Sequence, residues 1–181
     1  MAPKFGTSGL RGLVTELTAD LVSTYTRAFL AACPTGGTVH VGWDLRPSSP
    51  EIAEAVIGVV RAAGQTAIVD GALPTPALAL ASLKAGHGAV MITGSHIPAD
   101  RNGLKFYTPQ GEISKADETA ILANLETRME AAEPAGARQD AQGVAIDAYV
   151  ARYAESFGTA ALAGLRIGVH QHSSVARDTM I

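Results

Sequence analysis

Cysteine occurs once, at Cys33, so no disulfide can close within the chain and a small scaffold stapled by disulfides is excluded. Charged residues are sparse, at 17%. That is too few for a disordered polyampholyte, and the net charge of -3 leaves no basic surplus for nucleic acid or an anionic membrane as the main partner. Long apolar runs are missing too. The most apolar stretch, Ala72 to Leu83, is short and broken by Pro74 and Pro76, so no membrane span is expected. The chain has no basic start followed by an apolar stretch and a small-residue cleavage site, which together with the lone cysteine points to the cytoplasm. Internal repeats and low-complexity tracts are absent. What is present is 181 residues, 47% of them hydrophobic, enough for one domain with a sizeable core and the start of another.

The hydrophobic pattern alternates between two periods. Thr18 caps a helix whose apolar face is Leu21, Val22, Tyr25, Ala28, Phe29 and Ala32, ending near Cys33-Pro34. Residues 38–43 (TVHVGW) read as a strand, followed by a helix with Ser49 as N-cap, Pro50 at its first position and Gly64 as its stop. The unit recurs: residues 66–70 form a short strand, Thr75-Pro76 opens a helix, and Ala85-Gly86 closes it. Residues 88–93 (GAVMIT) form a third strand, and residues 104–107 (LKFY) a short fourth one, antiparallel or at an edge. Ser114 and Asp117 make a capping box for a helix bearing Ile121, Leu122, Leu125 and Met129.

This order predicts an α/β fold, a mixed and mostly parallel sheet between helices. Residues 133–143 read as a linker, giving a first domain over 1–135 and an incomplete start of a second over 136–181. In that second part residues 146–157 are expected as a helix and 165–170 (LRIGVH) as a strand.

Ligands of open α/β sheets gather beyond the carboxyl ends of the strands, so the loops after each strand are where chemistry is expected. One loop holds Asp44 and Arg46 before Ser48 and Ser49, a second holds Thr75, and a third holds Thr93, Gly94, Ser95 and His96. Helix N-termini there can receive an anion, with Arg11, Arg46, Arg101 and Lys105 as charged partners. Each has a plainer reading: Arg46 can pair with Asp44, and Ser49 or Thr75 can be caps only. Ser95 reads either as a hydroxyl presented to a crevice or as a turn serine. The glycine spacing of a hydrolase elbow is absent around it, because Thr93 and Ile97 stand where that motif needs glycines. A Ser95-His96 hydrolase would also need an acid partner, and residues adjacent in sequence are poorly placed for that geometry. Residues 6–12 (GTSGLRG) match neither the dinucleotide nor the P-loop pattern and read as a lead-in. His170 and His172 share one side of the expected strand but lack a third metal ligand, and His40 and His87 form no constellation.

Four segments in order resemble the α-D-phosphohexomutase family: residues 5–12 (FGTSGLRG), 42–49 (GWDLRPSS), 71–76 (GALPTP), and 93–98 (TGSHIP) followed by 102–105 (NGLK). The resemblance covers about the first 130 residues. It implies the first domain of a phosphoglucomutase or phosphomannomutase, an enzyme that moves a phosphoryl group between positions 1 and 6 of a hexose phosphate through a phosphoserine and a 1,6-bisphosphate, with glucose 1,6-bisphosphate as activator. By that likeness Ser95 carries the phosphate, His96 and Lys105 handle protons, and Arg11 contacts the serine phosphate. Thr7, Ser8, Arg46 and Asn102 bind substrate or phosphate.

The family's serine loop usually reads Thr-Ala-Ser-His-Asn-Pro, so Gly94 and Ile97 depart from it. Its three-aspartate magnesium loop has no counterpart here, which leaves phosphorylated Ser95 as the one expected Mg²⁺ ligand. The 181 residues alone are therefore expected to be inactive, with the remaining domains of the same polypeptide as partners. Ser8 stands where glucosamine-phosphate mutases usually carry Asp, a lean toward glucose or mannose phosphate. The alternative is a non-catalytic phosphosugar-binding module.

Overall fold

A computed structural model describes residues 3–6, 9–133 and 135–181. Thr7 and Ser8, expected at a phosphate, lie outside the described residues. The chain forms β1 (Lys4–Gly6), β2 (Gly9–Leu13), α1 (Ala19–Ala32), β3 (Thr38–Trp43), α2 (Ser49–Ala62), β4 (Thr66–Ala72), α3 (Thr75–Ala85) and β5 (Gly88–Ile92). There follow β6 (Arg101–Thr108), β7 (Gly111–Glu112), α4 (Lys115–Ala123), β8 (Arg138–Asp140) and α5 (Val144–Phe157).

The strands make one mixed sheet in the order β1-β2-β6-β5-β3-β4-β8, with β7 on β6. Pairs β3–β4, β3–β5 and β4–β8 are parallel. The β1–β2, β2–β6, β5–β6 and β6–β7 pairs are antiparallel. The expected α/β fold is present, with a larger antiparallel part than its strand signals announced.

Period-two alternation divides the core between the two faces of the sheet. Val39, Val41, Val69, Val90, Ile92, Leu104 and Phe106 are buried in one cluster with α1 and α2. Their neighbours Ala89, Met91 and Tyr107 face the smaller cluster with Leu73, Ala77 and Leu78 of the α3 side. Phe106 anchors the larger cluster: its ring centroid lies 4.9 Å from Phe29 and 6.0 Å from Phe5. Burying such a ring stabilises the fold by about 1.5–3 kcal/mol.

Four expectations need correction. The N-terminal lead-in is a β-hairpin, and the glycines that hid it are required there: a Cβ on Gly9 would overlap the carbonyl oxygen of Leu104. Because that hairpin adds to β6, the strand read as short and peripheral is eight residues long and lies between β2 and β5. The stretch read as a linker contains β8, three exposed polar residues paired with β4. There Ala67 N donates to Ala137 O at 2.9 Å and Ala141 N to Val69 O at 2.9 Å. Residues 165–170 form no strand; Leu165, Ile167 and Val169 are exposed, without a partner strand to hold them extended.

Two caps also differ in detail. Helix α2 has Ser48, not Ser49, at its N-cap position, without a side-chain cap bond; the Ser49 hydroxyl donates instead to Asp44 Oδ1 at 2.6 Å. Helix α4 stops at Ala123, before Leu125 and Met129, although its Ser114–Asp117 capping box forms as expected.

Candidate active site at the carboxyl ends of β3 and β5

Strands β3 and β5 run parallel and end side by side, with Trp43 opposite Ile92. The loops that leave them, 44–48 and 93–100, therefore meet. Asp44 ties the two together. Its Oδ1 accepts from Arg46 N at 3.0 Å and from Ser49 Oγ at 2.6 Å. Its Oδ2 accepts from Thr93 Oγ1 at 3.0 Å and Gly94 N at 2.9 Å. Burial pushes this carboxyl's pKa up, but the hydrogen bonds from Ser49, Arg46, Gly94 and Thr93 outweigh it and hold the group below the ordinary 3.8.

Ser95 follows with φ at 51°, the one non-glycine residue in the left-handed region among those described, a conformation that costs an L-residue free energy and clusters at functional sites. Its amide donates to Thr93 Oγ1 at 2.9 Å. Both Ser95 and His96 are exposed, and Ser95 Oγ lies 3.3 Å from His96 Nδ1. These two sequence neighbours thus come within reach of each other. Ser95, Asp44, Arg46 and Thr93 line a cavity of about 690 Å³ whose far wall is the turn His172–Val175. No spacing in the sequence links that turn to Ser95, so its place was not legible.

The other expected site residues fall into two groups. Arg11 is exposed on β2, opposite Gly103 of β6. The Gly103 carbonyl in turn accepts from the Thr93 amide at 2.9 Å. A Cβ on Gly103 would sit 3.1 Å from Arg11 Cγ and 3.4 Å from Thr93 O, so the Arg11 stem runs beside the serine loop. Lys105 pairs in register with Met91 and Gly9, which puts it on the same sheet face as Arg11. Its ammonium contacts Glu112 Oε1 at 2.9 Å.

Arg46 lines the cavity, while its guanidinium and the Asn102 amide also have partners within the protein. Asn102 is fully buried: its amide nitrogen donates to Ser48 Oγ and Ser49 Oγ, both at 2.9 Å, and its oxygen accepts from Gly103 N at 2.9 Å. It braces the start of α2 against β6. The Arg46 guanidinium is engaged by carbonyl oxygens of Ile97, Pro98 and Arg101 and by Asp44.

A magnesium site does not fit these residues. Among those described, no group of three His, Cys, Asp or Glu can hold a metal, and Asp44, the carboxylate that lines the cavity with Ser95, already accepts four hydrogen bonds. Two histidines read as unrelated do meet, at the opposite end of the strands: His40 Nδ1 contacts buried Asp70 at 2.8 Å, and His87 Nδ1 lies 3.3 Å from His40 Nε2. Burial first, and then the nearby His40 charge, push the His87 pKa below 6.5.

The structure is an open α/β sheet with an exposed serine in a left-handed turn at a parallel strand end, the place where ligands of such sheets gather. Comparison with known proteins specifies the class. The family model described as "Phosphoglucomutase/phosphomannomutase, alpha/beta/alpha domain I" matches residues 2–132, and the chain belongs to that family. A phosphomannomutase of Sinorhizobium fredii (strain NBRC 101917 / NGR234) is 48% identical over 99% of this chain and 40% of its own length. A phosphomannomutase of Salmonella muenchen is 41% identical over 96% of this chain and 36% of its own. The crystal structure of a phosphoglucomutase/phosphomannomutase family protein from Burkholderia thailandensis aligns with a TM-score of 0.70 at 27% identity, covering 84% of this chain and 35% of that one. The chain thus spans about 40% of the length of the first of these relatives.

Proposed function

We propose that these 181 residues are the N-terminal part of a phosphoglucomutase or phosphomannomutase and that Ser95 is its phosphate carrier. The observation that carries this reading is the exposed Ser95 hydroxyl, held in a left-handed turn at the end of β5 over a cavity. In the forward half-reaction the bond from phosphorus to Ser95 Oγ breaks as a bond forms to a sugar hydroxyl oxygen. The hydroxyl proton leaves to a base, and Ser95 Oγ recovers a proton. His96, 3.3 Å from Ser95 Oγ, is placed to hold that proton. Arg11 and the Lys105 ammonium supply positive charge on one sheet face, as phosphoryl transfer needs little covalent work and much charge neutralisation. Thr7 and Ser8 complete the proposed phosphate contacts.

A 1,6-bisphosphate intermediate, glucose 1,6-bisphosphate as activator, and a cytoplasmic setting belong to the same proposal. Magnesium would find at most the Ser95 phosphate as a ligand in these residues, so the reading requires oxygen ligands from other domains of the polypeptide and predicts no turnover by the 181 residues alone. Among the described residues no helix is long and apolar enough to cross a membrane.

The test is intact-mass and peptide analysis of the longer protein after exposure to glucose 1,6-bisphosphate. One phosphate on Ser95, absent in Ser95→Ala together with mutase turnover, is the expected result. Full turnover in Ser95→Ala would refute it. A serine hydrolase is disfavoured, because among the described residues no carboxylate is hydrogen-bonded to His96 as a triad requires.

A further inference from the structure

We propose that Arg46 is a positioning residue, the internal clamp of the serine loop, and that Gly94 is the space in which the clamp lies. Three carbonyl oxygens of the loop converge on one guanidinium: Nη1 donates to Pro98 O at 2.7 Å and Arg101 O at 2.9 Å, and Nη2 to Ile97 O at 2.6 Å. On the remaining edge Nε faces Asp44 Oδ2 at 3.4 Å. That same oxygen accepts from Gly94 N and Thr93 Oγ1. One ion pair thereby grips the loop on both sides of Ser95, at 93–94 through the carboxylate and at 97–101 through the guanidinium.

The planar five-donor fork of arginine suits this; an ammonium is a point charge with no such fork, so lysine cannot reproduce it. Charge-assisted bonds to carbonyls that are partly shielded from water are among the stronger ones a loop can have. They offset the unfavourable left-handed backbone of Ser95, whose φ is 51°.

Gly94 makes the arrangement possible. Its φ is not in the left-handed region, so conformational freedom is not why glycine stands there. A Cβ built on Gly94 would overlap the Arg46 guanidinium at Cζ, Nε and Nη2. Glycine is needed for close approach of a side chain to the backbone, and any larger residue at 94 displaces the clamp. The two positions are therefore one device.

The effect of the clamp on phosphoryl transfer rests on the reading of Ser95 given above; the clamp itself does not. The experiment is solution NMR of the 181-residue chain as wild type, Arg46→Met, Arg46→Lys, Gly94→Ala and the double variant Gly94→Ala/Arg46→Met. Ser95 ¹³Cα and ¹³Cβ shifts report its backbone conformation, and amide exchange at Ile97 and Arg101 reports the loop. In Arg46→Met and Arg46→Lys the Ser95 shifts are expected to leave left-handed values, and exchange at Ile97 and Arg101 to rise at least about tenfold, while the shifts of β3 and β5 stay in place.

Gly94→Ala is expected to give the same loop signature, and adding it to Arg46→Met to change little further, since the guanidinium it displaces is already gone. Left-handed Ser95 shifts retained in Arg46→Met, rescue by lysine, or a wild-type loop in Gly94→Ala would each overturn the proposal. Should Arg46→Met fail to fold, Gly94→Ala decides alone. Absence of a phosphate on Ser95 in the longer wild-type protein would remove the proposed function and leave this result standing.

Discussion

Residues up to 140 and the last 38, from Val144 on, use apolar side chains in opposite ways. In the first region nearly every strand residue on the α1–α2 face is fully buried, and Phe29, Phe106, Leu104 and Ile57 form one continuous cluster. In the second, α5 is helical over 14 residues, yet Ala145 is its one buried residue, and Tyr153, Phe157, Leu162, Leu165 and Ile167 are exposed. Local pattern sufficed to form the helix in both regions. The difference lies in cover: a sheet supplies it for α1 and α2, whereas α5 has α3 beside it and a row of apolar residues left facing outward. Stability should therefore be concentrated before residue 141.

The largest expected effect tests that concentration. Phe106→Ala opens a cavity where three aromatic rings meet and should cost about 3–5 kcal/mol, lowering the thermal midpoint by roughly 10 °C in calorimetry. Asp44→Ala comes next, at about 2–3 kcal/mol by denaturant unfolding, since it leaves two hydroxyls, two amides and the Arg46 charge without their acceptor.

The same group fixes a pH dependence. Its pKa is held below the ordinary 3.8, so the stability it contributes is complete above that value and is lost as pH falls through the depressed pKa. Asp44→Asn should flatten the acid limb of the unfolding curve below pH 3.8, and an unchanged limb would mean that Asp44 is not what titrates there. Ser114→Ala removes one half of the α4 capping box and should cost about 1 kcal/mol. Smallest of all, Leu165→Ser in the uncovered region should change stability by no more than about 0.5 kcal/mol. A larger loss would show that the last 38 residues are packed after all and would erase the contrast.

What could be read in the sequence follows the same division between local and distant causes. Strands β3 and β5 announce themselves through Val39, Val41, Val90 and Ile92, and α1 through Thr18 and its apolar face, because these signals lie within a few residues. The β1–β2 hairpin does not, since Gly9 is required by close approach to a strand more than ninety positions away and glycine carries little strand propensity of its own. Arg138, Gln139 and Asp140 show nothing apolar because an edge strand exposed on both faces needs nothing apolar.

At the site, Ser95 and His96 were legible as neighbours after a buried strand. Arg46 and Asn102 were legible as polar groups in the right loops but not in their direction: spacing gives the residue type near a crevice, and only the fold decides whether it faces the crevice or the loop behind it. In this structure the Arg46 guanidinium donates to backbone carbonyls of the serine loop and the Asn102 amide to the Ser48 and Ser49 hydroxyls.

The strand that carries Arg11 has its partner far along the chain. Gly9 pairs with Lys105 and Leu13 with Arg101, so during synthesis β2 has no neighbour but β1 until β6 has left the ribosome. At about 5–20 residues per second that is a wait of several seconds, during which the β3–α2–β4 segment can already assemble. Arg11 is thus made about ninety residues before its seat on β6, and the candidate site cannot exist on a nascent chain that ends before that strand.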